Sequence, residues 1–405
     1  MKLRILKTCL AILATGSLAA ETLVVFSGES IQAKIDEATD GDIIAIFGGT
    51  YFPDLTINKR VRLVEVKGQE VKLAGSISFT DIENCPPFQG FEVGPTKGIT
   101  VSNCSGLVLA DLTVPSITQN SGSISLSKVT ITGNFDTADD AAETLAFRTT
   151  VIGDCNWKSK RAWFGYGKAR SFNFSGSDAK VIFVGSEIDR RGSVREPGFY
   201  ISGTNNSLLV CNSIIQGSRG ENENGVNIKI VGGGHSGRIF NNYLQRASYR
   251  SSIPVYANIR YLSDNGNIAI ANNIFSNDRN RLVTAPSGIE ILNNHSVNSN
   301  NAISGGAVAV TTTTGDPVFV DADPYKLSEG SSLIDAGTED PRYNDRDGTR
   351  NDIGPSGGSW YDPQGWTTEK PVVISFDLLP DQVLEGVNDS VTIDKIRAAS
   401  SPAQE

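Results

Sequence analysis

One short phrase recurs four times between Leu208 and Asn294, and it limits what this chain can fold into. It reads LLVCNSII at 208–215, RIFNNYL at 238–244, IAIANNIF at 268–275 and IEILNNHSV at 289–297. In each copy a run of β-formers leads into an asparagine: Asn212, Asn241, Asn272 and Asn293, separated by 29, 31 and 21 residues. Three copies carry a second asparagine (Asn242, Asn273, Asn294), and the first carries Ser213. Asparagine tolerates left-handed backbone and hydrogen-bonds its own turn, so the pattern marks one corner repeated after a short strand. Repeats of this period belong to solenoids, whose units bury their apolar side only by stacking.

Looser copies lie upstream: GLVLADLTV at 106–114, SISLSKVTI at 123–131, LAFRTTVI at 145–152 and AKVIFVGSEI at 179–188. Their corners are expected at Ala110, Ser127, Arg148 and Gly185. Helical periodicity is nearly absent after residue 40, which argues against alternating β/α repeats. If residues 22–330 wind in coils of roughly 22–28 residues, about 11–14 coils would stack. At about 4.8 Å per rung the solenoid would be roughly 50–65 Å long.

The chain has 405 residues and a formal charge of −9, with an ordinary 39% of hydrophobic residues, enough for a sizeable core. Residues 1–20 read as a secretory signal, with Lys2, Arg4 and Lys7 ahead of CLAILATGSLAA. The expectation is an exported, soluble protein, secreted or periplasmic, with no transmembrane segment and no evident anchor, acting as a monomer. Four cysteines would remain after cleavage, too few for a disulfide framework in a chain this long. Cys211 reads as a buried, inert thiol, while Cys85 and Cys104 lie about one coil apart and could pair. No CxxC or Cys/His cluster suggests zinc.

Near the start, Ser30 opens a short helix with Ile31, Ile35 and Ala38 on one face and Gly41 past its end. Strands follow at Ile43–Phe47, Leu55–Ile57 and Val61–Val66. The stretch SIQAKIDEATDGDIIAIFGGTYFPDLTINKRVRLVEV resembles the opening of right-handed parallel β-helix proteins of the pectate-lyase-like superfamily. In them a helix covers the first open coil. Residues 316–358, including IDAG and DRDGTRNDIG, look like the closing segment of many exported bacterial β-helix proteins. The two likenesses imply an all-β, right-handed parallel β-helix over residues 21–365 and a C-terminal extension over 366–405. In that extension PVVISFDLL and SVTIDKI could form a strand pair. The likeness bears on architecture, since one fold hosts many activities.

Charge is distributed unevenly. Residues 156–250 hold 14 Lys/Arg against 6 Asp/Glu, a local +8 that leaves −17 for the rest. The densest piece, NWKSKRAWFGYGKARSFNF at 156–174, interleaves Lys158, Lys160, Arg161, Lys168 and Arg170 with Trp163, Tyr166 and other aromatics. Aromatic faces stack on sugars, and cations pair with carboxylates, so an anionic polysaccharide is one partner these residues fit. The other reading makes the aromatics core and the cations a solvated edge. Nucleic acid is not expected as a partner of an exported acidic protein.

A second candidate lies in GSRGENENGVNIKIVGGGHSGRIFNN, residues 217–242. Glu221 and Glu223 share a face if extended, Lys229 follows, and Arg250 lies about one coil on. This is similar to the layout in β-helix polysaccharide lyases. The resemblance implies calcium held by Glu221 and Glu223, Lys229 as the base that removes the α-proton, and Arg250 assisting departure of the 4-linked sugar. That chemistry needs the substrate carboxylate neutralised. The same residues also read as a polar loop with Lys229 paired to a glutamate. A polygalacturonase-like site is excluded by order, because Asn227-Ile228-Lys229 precedes Gly234-His235-Ser236-Gly237. Asp345, Asp347 and Asp352 resemble a calcium loop but lack acids at Tyr343 and Gly354, which favours a structural turn. Two function classes follow: a polysaccharide-binding protein or lyase, and a non-catalytic structural or adhesive β-helix.

Overall fold

Strands such as Leu55–Ile57 and Ile77–Thr80 alternate apolar and polar side chains, whereas face A strands such as Lys180–Val184 are apolar on both sides, and stacking against a neighbouring coil buries the inner row. In the computed structural model the chain does this as a parallel β-helix. The structure describes residues 20–190, 197–217, 226–245, 258–262, 266–276, 282–297, 303–304, 308–321, 323–363, 365, 372–379 and 392–399. Residues 1–19 of the expected signal, Glu221, Glu223 and Arg250 lie outside them.

Each coil visits three faces, named A, B and C in chain order. One coil shows the pattern: Lys180–Val184 on face A, Glu187–Asp189 on B, Phe199–Ile201 on C, then Ser207–Cys211 back on A. The strands stack in parallel register, with Val181 opposite Leu208, Ile188 opposite Ile215 and Ile201 opposite Ile230. Face A starts as a separate three-stranded sheet of Thr22–Val25, Ile43–Ile46 and Arg62–Glu65. Later coils join one 30-stranded sheet that ends at Val308–Thr314.

The open first coil is covered by helix α1, Ile31–Glu37. Ser30 Oγ accepts from the Ala33 N–H at 3.2 Å, and Ile31, Ile35 and Ala38 are buried beneath. Gln32 pairs with both backbone groups of Thr56, donating at 3.2 Å and accepting at 2.8 Å, so the helix supplies partners for an otherwise unpaired edge. Inside, the middle coils are filled by aromatics. Phe164 stacks on Phe183 at 5.4 Å, and Phe172 on Phe199 at 5.1 Å. Trp157 meets Phe164 and Phe172 edge-on at 5.9 and 5.2 Å.

The corner from A to B is left-handed in nine successive coils: Asp111, Lys128, Arg148, Tyr166, Gly185, Asn212, Asn241, Asn272 and Asn293 have φ between 45° and 58°. The corners expected at Ala110 and Ser127 fall one residue later, and Tyr166 adds one in the aromatic stretch. From Ser186 onward the next position points inward and links the coils. Its side chain donates to the carbonyl two residues back and accepts the N–H of the preceding coil. Ser186 Oγ donates to Val184 O (2.8 Å) and Ser213 Oγ to Cys211 O (2.7 Å). Asn242 Nδ2 donates to Phe240 O (3.0 Å) and Asn273 Nδ2 to Ala271 O (2.9 Å). Asn242, Asn273 and Asn294 accept from the Ser213, Asn242 and Asn273 N–H groups at 3.1, 3.0 and 2.9 Å.

The first asparagine of each pair has a different task. The winding stops at Val308–Thr314, and the segment up to residue 365 adds no coil. It returns along the A–B corner, antiparallel to the direction of stacking, and the corner asparagines hold it. Asn293 Nδ2 donates to Gly337 O (3.1 Å), Asn272 Oδ1 accepts from the Thr338 N–H (2.9 Å), and Asn212 Nδ2 donates to Gly357 O (2.6 Å). Arg148 Nε reaches Gly365 O at 2.8 Å. Tyr343 of this cover packs edge-on against Phe240 at 5.3 Å, with the Arg238 guanidinium 5.3 Å from both rings. Within the cover, Asp347 Oδ1 accepts from the Thr349 N–H (3.0 Å), Asp352 Oδ1 accepts from the Asp335 N–H (2.8 Å), and Asp345 accepts from the Asp352 and Gly358 N–H groups. These aspartates therefore close turns. Arg346 and Arg350 pair with Asp362 and Glu339, at 3.7 and 3.8 Å. Val372–Leu379 and Thr392–Ala399 form an antiparallel pair.

All four described cysteines are free and buried, Cys85 and Cys104 included. Burial, with the neighbouring Cys104, pushes the Cys85 thiol up to about 12. Among the described residues, no helix is long and apolar enough to cross a membrane.

Candidate functional site

The outward residue at the centre of each face C strand is in register with its neighbours, so one column runs along the solenoid. It begins with hydroxyls: Thr56, Ser78, Thr100 and Thr118. Asp136, Asn156 and Asn173 follow. Tyr200, Lys229 and Arg260 come next, then Thr284. Successive members are about 4.8 Å apart, the spacing of stacked strands.

The extra residues of the later coils fall, along the chain, between the face B and face C strands. The B-to-C connection takes only residues 115–116 and 132–134 early on, but 190–198, 217–227, 246–258 and 277–282 later. The C-to-A connection in the same coils stays constant at 202–206, 231–235 and 262–266. The long intervals in the asparagine spacing therefore come from the B-to-C connections, most of whose residues lie outside the described ones. The Lys229 ammonium lies 6.0 Å from the centre of the Tyr200 ring.

The middle of the column is a hydrogen-bonded chain. Asn173 Nδ2 donates to Asn156 Oδ1 at 2.9 Å, and Asn156 Nδ2 donates to Asp136 Oδ1 at 2.7 Å. At its edge Asp154 gathers Arg170, Arg190 and the Ser171 hydroxyl, with Arg190 Nη1 at 2.8 Å. Burial alone would raise the Asp154 carboxyl, but the Arg170 and Ser171 hydrogen bonds and both arginine charges hold it below the usual carboxylate range.

The basic aromatic stretch is placed differently. Residues 156–174 make one complete coil, so they go round the whole solenoid. Lys158 lies past the face C strand, Lys160 and Arg161 at the start of face A, and Trp163 on its outside. Tyr166 is the A–B corner, Lys168 is on face B, and Arg170 precedes the next face C strand. They do not form one strip. The cations meet partners from neighbouring coils: Lys158 with Asp139 (3.3 Å), Arg161 with Glu143 (3.5 Å), Lys168 with Glu187 (2.8 Å), Arg170 with Asp154, and Lys160 with Ser177 O (3.0 Å). Trp163 and Tyr166 are 4% and 6% exposed and cluster with Leu145, Phe147 and Ile182. Their faces are occupied by protein.

Of the catalytic candidates, Lys229 is on the outer column of face C; Arg250, Glu221 and Glu223 lie outside the described residues. The charge count gave no sign of Arg260, whose signal is its position: it is the central residue of an Ile-Arg-Tyr strand that repeats Ile-Lys-Ile one coil earlier. His235 is fully buried, with Nδ1 accepting from the Asn206 N–H (3.2 Å) and Nε2 donating to Val231 O (3.0 Å), so it is a turn residue. Among the described residues, no three His, Cys, Asp or Glu side chains are arranged to hold a metal.

No protein-family model matches the chain, and no curated protein matches it. Among solved structures it is similar to the crystal structure of pectate lyase Pel9A, with 14% identity, a TM-score of 0.36, and coverage of 84% of this chain and 97% of that one.

Proposed function

We propose that the protein binds an anionic, uronic-acid-containing polysaccharide along face C, with Tyr200, Lys229 and Arg260 as its central contacts. The observation that carries this is their register on three successive coils. A tyrosine ring offers a stacking face for a sugar, while an ammonium and a guanidinium offer charge-assisted donors for its carboxylate. The rung spacing is close to the length of one pyranose unit, so consecutive side chains can meet consecutive sugars. Export through the N-terminal signal would bring the protein to such polymers.

Cleavage by β-elimination extends the same reading. Lys229 would take the proton α to the carboxylate and Arg250 would assist the leaving sugar. Calcium at Glu221 and Glu223 would supply neutralisation of that carboxylate. A non-catalytic binding or adhesive role is the other class. The test is titration with oligogalacturonide, alginate oligomer and a neutral glucan, following binding and the ultraviolet absorbance of an unsaturated product, with and without calcium. Binding of the acidic oligomers that is lost in Lys229→Ala/Arg260→Ala supports the reading, and absorbance growth adds catalysis. Equal binding of the neutral glucan would overturn it.

A further inference from the structure

The column on face C changes character along its length, and this bears on which polymer fits. Across the Tyr200 rung from Lys229 and Arg260 stands the chain Asn173–Asn156–Asp136, whose amides both point their donors toward Asp136. Resting on the proposed function above, we infer that face C takes a mixed polymer in one orientation, with acidic units over Tyr200, Lys229 and Arg260 and uncharged units over Asp136, Asn156 and Asn173. A homopolymer of uronic acid is the poorer ligand.

Asn173 divides its amide between Asn156 Oδ1 and Ser171 Oγ (3.3 Å), Asn156 spends one N–H on Asp136 and keeps a second for a ligand, and Asp136 has a second oxygen that only accepts. A sugar hydroxyl can donate to that oxygen and accept from the Asn156 amide. A uronate carboxylate cannot donate, and it would meet Asp136 as a like charge. The carboxylate also fixes the sense of the ladder: its negative charge orders the Asn156 amide, which orders that of Asn173, so the polar surface is set before a ligand arrives. Two rungs further, Lys229 and Arg260 present donors alone, which suits carboxylates. One end of the column is thus built for hydroxyls and the other for anions, and a regular polyanion spanning both would be mismatched at one end.

The test compares the full-length protein, Asp136→Asn and Asn156→Ala/Asn173→Ala by calorimetric titration with two probes. One is an oligogalacturonide long enough to span six rungs. The other is an oligosaccharide of equal length in which neutral sugars follow a block of uronic acid. The wild type should bind the mixed probe more tightly. Asp136→Asn should raise affinity for the all-acidic probe by up to about fivefold, the size of one exposed charge interaction. The alanine pair should weaken the mixed probe and leave the other unchanged. Equal affinities that neither variant separates would overturn the inference while leaving the proposed function standing. If the wild type binds neither probe, the proposed function falls with it.

Discussion

Asn241 and Asn351 exchange side-chain hydrogen bonds, each Nδ2 donating to the other's Oδ1 at 3.0 Å, although 110 residues separate them. Both are fully buried. Asn241 Nδ2 also donates to Asp352 O (2.6 Å) and Gly354 O (2.9 Å), so one corner side chain anchors the cover to the solenoid. Replacing either asparagine with alanine leaves a buried amide without its partner and should cost about 1–3 kcal/mol. A double-mutant cycle by chemical denaturation should show a coupling well above zero, because the second substitution removes a group already stranded by the first.

Gly357 gives an independent test of the same docking. A Cβ there would lie 1.9 Å from Asp352 O and 2.5 Å from Asn241 Nδ2, both fixed groups. Gly357→Ala should therefore lift the cover while leaving the coils intact. The expected readout is faster proteolysis within 331–365 with unchanged far-ultraviolet circular dichroism.

The inner ladder should respond more strongly than the corner. Asn273 Oδ1 accepts two donors from Asn242, and its Nδ2 donates to Ile239 O and Ala271 O at 3.0 and 2.9 Å. Asn273→Ala strands several buried groups at once, at about 1–3 kcal/mol each before relaxation. Asn242→Ser should be milder than Asn242→Ala, since Ser186 and Ser213 fill the same rung in earlier coils. Thermal melts of the three variants would order them.

Docking of the cover should also depend on pH. Burial, and the charges of Asp352 and Asp347 against hydrogen bonds from the Gly358 and Asp352 N–H groups, push the Asp345 carboxyl up to about 6 from 3.8. A value raised in the folded state means that ionisation works against folding. Asp345 contributes fully below about pH 4, and that contribution is lost as pH rises through about 6. Asp345→Asn keeps an acceptor without the charge, so its stability relative to wild type should grow from pH 4 to pH 7, by about 1–2 kcal/mol. A difference that is flat with pH would refute this assignment.

The asparagine corners were legible because left-handed backbone selects asparagine when little else does. Asp111, Lys128, Arg148 and Tyr166 adopt the same conformation without that signature, imposed by the coils above and below. What the phrase could not reveal is that its two asparagines face opposite ways, one binding the cover and the next linking coils. The likeness of residues 316–358 to a closing segment pointed to an end of the solenoid, not to a segment that returns along its outside. The cation-rich stretch misled for a related reason. Its acidic partners Asp139, Glu143, Asp154 and Glu187 come from adjacent coils, so a count along the chain sees charge where the fold makes pairs. Lys229 was found from its loop, and Arg260 needed the register.

Affinity for an acidic oligosaccharide is the most direct test of face C. Oligogalacturonide binding should be measured at low and high salt for wild type, Lys229→Ala/Arg260→Ala, and Lys158→Ala/Lys168→Ala as a control away from the face C column. The account predicts binding that weakens with salt, is abolished in the first variant and is little changed in the second. Binding retained in the face C variant and lost in the control would contradict it.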